Sequence, residues 1–90
     1  MRLSLTLTSR FKRDAKRIHR RGKELESLYD IVERLQQGKR LEVKHKDHPL
    51  SGNLSGFREC HIEPDWLLLY CIEGKELILV RTGSHSDLFG

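Results

Sequence analysis

Residues 57–83 read FRECHIEPDWLLLYCIEGKELILVRTG, and how this stretch is cut decides the fold. Pro64-Asp65 and Gly74-Lys75 are turn dipeptides that divide it into three runs rich in Leu, Ile, Val, Trp and Tyr, each of strand length. Two such tight turns predict an antiparallel meander. If each loop has two residues, Glu63 lies opposite Trp66 and Glu73 opposite Glu76, and the period of two assigns every other residue to a face. One face then carries Cys60, Ile62, Leu67, Leu69, Cys71, Ile78 and Val80, an apolar floor for helices. The other carries Phe57, Glu59, His61, Trp66, Leu68, Tyr70, Leu77, Leu79 and Arg81, a mixed set in which His61, Leu68 and Arg81 form one row. At about 4.8 Å per strand, His61 and Arg81 would stand about 10 Å apart, room for a phosphate and its sugar.

Upstream, RLSLTLT alternates Leu3, Leu5 and Leu7 with Arg2, Ser4 and Thr6, the pattern of a half-buried strand. Thr8 or Ser9 can cap a following helix with Phe11, Ala15 and Ile18 on one side, ending at Gly22. A second helix from about Glu24 has Leu25, Leu28, Val32 and Leu35 on one stripe with Ile31 beside it, and stops at Gly38. Residues 39–56 show little periodicity and read as a long loop, which in a small domain is more often functional than idle. The expected architecture is α+β. An N-terminal strand and a helical hairpin pack on one face of a small, mainly antiparallel four-stranded sheet, and a short helical segment ends the chain.

A 90-residue chain, 37% hydrophobic and 33% charged, supports one core, so residues 1–90 are read as a single domain. No apolar run approaches the roughly 20 residues of a membrane helix, and Met1 to Leu7 lacks the apolar centre of a signal peptide. A cytoplasmic protein with no membrane partner is expected. Cys60 and Cys71 lie outside any CxxC or zinc spacing and read as buried free thiols. The net charge of +4 is uneven: residues 1–50 hold 14 Lys/Arg against 7 Asp/Glu, and residues 51–90 hold 3 against 6. Such polarity suits a polyanion or an acidic protein partner. Its focus is RFKRDAKRIHRRGK, where Arg10, Arg13, Lys16, Arg17 and Arg20 are candidates for contacts to RNA or ribosome phosphates.

His61, Asp65, Arg81 and His85 all fall at strand ends or turns of the predicted sheet, and His48 lies on a loop that could reach it. Imidazoles exchange protons near neutrality, whereas a guanidinium keeps its charge and grips phosphate bidentately. Metal-free RNA cleavage needs a base for the 2′-hydroxyl, an acid for the leaving 5′-oxygen and a cation at the phosphorane. Phe89 or Trp66 could stack a splayed base. His45 and His48 have an HxxH spacing that no carboxylate or Cys completes, so neither a metal nor any other cofactor is expected.

KDHPLSGNLSGFRECHIEPDWLLLY followed by LVRTGSHSDLF resembles the YafQ branch of the RelE superfamily, toxins of bacterial type II toxin–antitoxin pairs, over nearly the whole chain. The motifs DHPL, HxEPDW and RTGxHxxLF carry the resemblance. It implies a RelE-like fold and a ribosome-dependent mRNA endoribonuclease. It also implies silencing by an acidic antitoxin of the DinJ or RelB kind, and binding of operator DNA only as the toxin–antitoxin complex. Carried over by motif, His85 is the general acid, His48, His61 or Asp65 the base, Arg81 the phosphate ligand and Phe89 the stacking residue. Leu54 and Phe57 depart from the Trp and Tyr common in relatives. Two other readings are a non-catalytic RNA- or ribosome-binding module that stacks bases on Trp66 and Tyr70, and an inactive partner of the antitoxin.

Overall fold

Alternation in the N-terminal segment and in the meander resolves into one sheet. The computed structural model describes residues 2–90. Its elements are β1 (Ser4–Leu7), α1 (Ser9–Arg20), α2 (Leu25–Gln36), β2 (His48–Pro49), β3 (Arg58–Glu63), β4 (Trp66–Glu73), β5 (Glu76–Gly83) and α3 (His85–Phe89). The strand order is β1-β5-β4-β3-β2, with β1 parallel to β5 and the remaining neighbours antiparallel. The α+β class and the helical hairpin are as expected. The strand count is five where the sequence suggested four. β2 is the addition, a pair of residues too short to show a period, and its Pro49 sits on a sheet edge where a missing N–H costs no ladder bond.

Both turns have the expected two-residue length, since Glu63 pairs with Trp66 and Glu73 with Glu76. The faces do not follow from them. Ile62 is an extra residue in β3, so His61 pairs with Leu67 and Cys60 with Leu68, and Val80 is extra in β5, so Leu69 pairs with Arg81. A bulge moves every later residue to the opposite face of its partner strand. Cys60 and Ile62 therefore meet Trp66, Leu68, Tyr70, Leu77 and Leu79 in the core, joined by Phe11 and Ile18 of α1 and by Leu28, Ile31, Val32 and Leu35 of α2. The expected apolar floor holds for β3 and is reversed for β4 and β5.

Thr8 caps α1 by accepting the Phe11 N–H at 3.0 Å, while its hydroxyl donates to the Val80 carbonyl at 2.8 Å. This single residue ends β1, starts α1 and ties both to β5. Cys60 and Cys71 are free and buried, and burial pushes the Cys60 thiol up to about 12. Among the described residues no helix is long and apolar enough to cross a membrane.

The chain then passes Gly83, whose φ of 155° and nearness to Asp87 leave no room for a side chain: a Cβ would lie 2.9 Å from that of Asp87. Ser84 caps α3 by accepting the Asp87 N–H at 3.1 Å, and the Asp87 carboxylate accepts the Ser84 N–H at 2.9 Å, a reciprocal capping box. Asp87 also accepts two bonds from Arg21 at 2.7 and 3.1 Å, and Arg17 approaches within 3.5 Å. The guanidinium of Arg21 and the Ser84 N–H hold the Asp87 carboxyl far below the usual Asp range. A carboxyl so depressed stabilises docking fully above the ordinary Asp value of about 4, and loses that effect only as pH falls through the depressed value. Asp87→Asn should therefore loosen α3 at neutral pH, with amide exchange at Leu88 rising about tenfold, while the wild type stays protected down to about pH 4. Equal protection in both proteins would remove Asp87 as the anchor.

Candidate functional site

Direct pairs in a sheet point to one face, so the register defines the site. His48 pairs with Glu59, Glu59 with Leu69 and Leu69 with Arg81, which makes one row across four strands on the face opposite Cys60, Leu68 and Leu79 of the core. The neighbouring row is His61, Leu67 and Gly83. The predicted row of His61, Leu68 and Arg81 is thus replaced. Leu68 lies in the core, and the two bulges put Arg81 in line with Glu59 instead.

The Pro64-Asp65 turn reaches the start of α3. Asp65 Oδ1 accepts both the backbone N–H of His85 at 2.9 Å and its ring Nδ1 at 2.6 Å. These bonds, the backbone one first, lower the Asp65 carboxyl below its ordinary value. With Nδ1 donating to a carboxylate, Nε2 of His85 is the nitrogen left to face a substrate. The side chain is 55% exposed, and its ring lies 5.8 Å from that of His61, tilted by 58°.

His61 and His48 are oriented by the same device. Nδ1 of His61 points to the Pro64 carbonyl at 3.3 Å, and Nδ1 of His48 donates to the Lys46 carbonyl at 2.6 Å. In the neutral ring Nε2 then holds the lone pair, the form a base requires. Both Nε2 atoms face Oε1 of Glu59, at 3.6 Å from His61 and 3.7 Å from His48. Glu59 is buried and central, and the sequence reading assigned it no role. The available signal was its place two residues before His61, on the same strand face. His45 stays outside the cluster and supports it from behind, its Nδ1 meeting the His61 carbonyl at 2.7 Å.

Arg81 is gripped by Asp14 of α1, which accepts its Nε at 2.8 Å and its Nη2 at 3.1 Å. Phe89 is half exposed on α3. Arg10, Arg13, Lys16 and Arg20 are exposed along α1, whereas Arg17 leans toward Asp87 and Asp14.

Trp66 contradicts its expected role. It is 1% exposed, and its Nε1 donates to the Thr82 hydroxyl at 2.9 Å, which in turn donates to the Leu67 carbonyl at 2.7 Å. A ring with no free face cannot stack a base. Tyr70 is equally buried, with its hydroxyl donating to Asp47 at 2.6 Å, and burial together with that carboxylate pushes the pKa of the hydroxyl well above the usual value, so it holds its proton. Among the described residues no group of three or more His, Cys, Asp or Glu is arranged to hold a metal ion.

The chain and its fold are similar to those of known proteins. The chain is 37% identical to the mRNA interferase toxin YafQ of Escherichia coli K12 over 84 residues, 92% of this chain and 91% of that protein. Its structure is similar to the E. coli DinJ–YafQ toxin–antitoxin complex, with a TM-score of 0.91 at 34% identity over 100% of both chains. It is also similar to a metal-bound toxin from Helicobacter pylori, with a TM-score of 0.91 at 45% identity over 97% of this chain and 99% of that one. The family described as bacterial toxin of type II toxin–antitoxin system, YafQ, matches residues 3–90, and the chain belongs to it.

Proposed function

We propose that this protein is a metal-independent mRNA endoribonuclease that cuts message on the ribosome and is silenced by an acidic antitoxin. The observation that carries the reading is the pair of rings of His61 and His85, 5.8 Å apart on the face that also bears Arg81. One ring has an orienting carbonyl at Nδ1 and the other an orienting carboxylate. In this reaction Nε2 of His61 takes the proton of the 2′-hydroxyl, and the 2′-oxygen bonds to phosphorus. The bond from phosphorus to the 5′-oxygen breaks as His85 delivers a proton from Nε2, leaving a 2′,3′-cyclic phosphate. Arg81 lies against the charge on the phosphorane and Phe89 against a base. Asp65 serves best as the group that orients His85, because its inner oxygen already accepts two bonds from that residue. His48, across Glu59, is the alternative base.

The relatives' activity and their antitoxin-bound structures support the same reading. The exposed cations of α1 suit ribosomal RNA and an acidic antitoxin alike, and operator DNA would be met through the antitoxin. A ribosomal target places the work in the cytoplasm. The non-catalytic alternative loses its stacking platform, since Trp66 and Tyr70 are both in the core. The test is primer extension on one mRNA incubated with the purified chain, with and without ribosomes. Cuts confined to the translated message are expected. Equal cutting of naked RNA would overturn the ribosome dependence, and no cutting at all the nuclease.

A further inference from the structure

The basic run RFKRDAKRIHRRGK contains one acid, Asp14, and it is among the most buried charged residues of the chain, 3% exposed. Its oxygens accept three N–H groups: Nε and Nη2 of Arg81 at 2.8 and 3.1 Å, and the backbone N–H of Thr82 at 3.2 Å. The last bond has a topological reason. β1 ends where Leu7 pairs with Leu79, so β5 continues beyond it with an open edge, and Asp14 fills that edge.

A guanidinium meant only to draw RNA would work best exposed and unpaired, as Arg10, Arg13 and Arg20 are among the described residues. Pairing Arg81 with a carboxylate cancels its charge at long range, and burying the pair is itself costly. What the pair provides is geometry. Asp14 occupies the edge formed by Nε and Nη2, which leaves Nη1 and the second N–H of Nη2, the end-on fork that matches two phosphate oxygens. Among the described residues Arg81 makes no other side-chain hydrogen bond. The same carboxylate fixes Thr82, whose hydroxyl is bound to Trp66 and Leu67, so the pin is continuous with the core.

The structure assigns Asp14 as the positioning residue of Arg81: it fixes the guanidinium so that its free fork meets the phosphate in the transition state. This rests on the nuclease reading above. The test is single-turnover cleavage of ribosome-bound mRNA by wild type, Asp14→Asn, Arg81→Ala and the double variant. Asp14→Asn should lower the rate at saturating complex about tenfold or more, with the half-saturating concentration changed less than about twofold. In the Arg81→Ala background it should add less than about twofold, because the group it acts through is gone. Additive losses, or a loss confined to half-saturation, would overturn the assignment. If Asp14→Asn does not fold, Asp14→Glu, which keeps the charge and shifts the carboxylate by one methylene, takes its place, and full activity there would overturn it too.

A second measurement is independent of activity. The Nε–H of Arg81 in the wild type should give a slowly exchanging NMR resonance, and fast exchange would mean no pin. A wild type that cuts nothing, yet shows that slow resonance, would sink the nuclease and leave the pin standing.

Discussion

Replacing His85 with alanine is expected to lower cleavage of translated mRNA by about 10²–10⁴-fold, the usual worth of a general acid, with little change in the thermal midpoint. The asymmetry follows from what the side chain touches. It is mostly exposed, and its contacts are Asp65 and the ring of His61. The backbone N–H to Asp65 survives the substitution, and α3 keeps its Ser84 cap and the Asp87–Arg21 bonds. Rates for the wild type and His85→Ala, measured beside a melting curve, separate the two effects. A loss of less than about tenfold in a folded variant would remove His85 as the acid.

Trp66→Ala should do the reverse, destabilising the fold by about 3–5 kcal/mol, a large part of the 5–15 kcal/mol that holds a small domain. The indole fills the middle of the core, and its removal also leaves the Thr82 hydroxyl without its donor. Urea unfolding reads this directly. A stable Trp66→Ala protein that merely bound RNA more weakly would restore the stacking role that its burial denies.

The contrast between these residues shows where the sequence was legible. Both helices were readable because apolar residues at three- and four-residue spacing leave one choice of inner face, and Phe11, Ile18, Leu28, Val32 and Leu35 are all buried there. The turns were readable because Pro-Asp and Gly-Lys between strand runs have few other uses. The inner face of β4 was not, because WLLLYC is apolar on both sides and alternation carries no preference between them. Extra residues at Ile62 and Val80 then decided the matter, and a bulge depends on the partner strand as much as on its own.

The site shows the same division. His48, His61, Asp65, Arg81, His85 and Phe89 were named from motifs, and the fold sets His61, Asp65 and His85 side by side, with His48 facing the same Glu59 as His61. Glu59 and Asp14 escaped because each reads as an ordinary surface charge in its own segment. The bond from Asp14 to Arg81 spans 67 positions, and no local pattern encodes it.

α3 contains no buried residue and is held by polar bonds at Asp65, Ser84, Asp87 and Arg21. Segments of that kind open at free energies well below that of global unfolding. The proposed acid and stacking ring thus ride on a segment that no buried side chain anchors to the core. If these two residues act as proposed, warming, or salt that screens Arg21 from Asp87, is expected to stop cleavage of message while the core is still folded. Cooling is then expected to restore cleavage without global refolding.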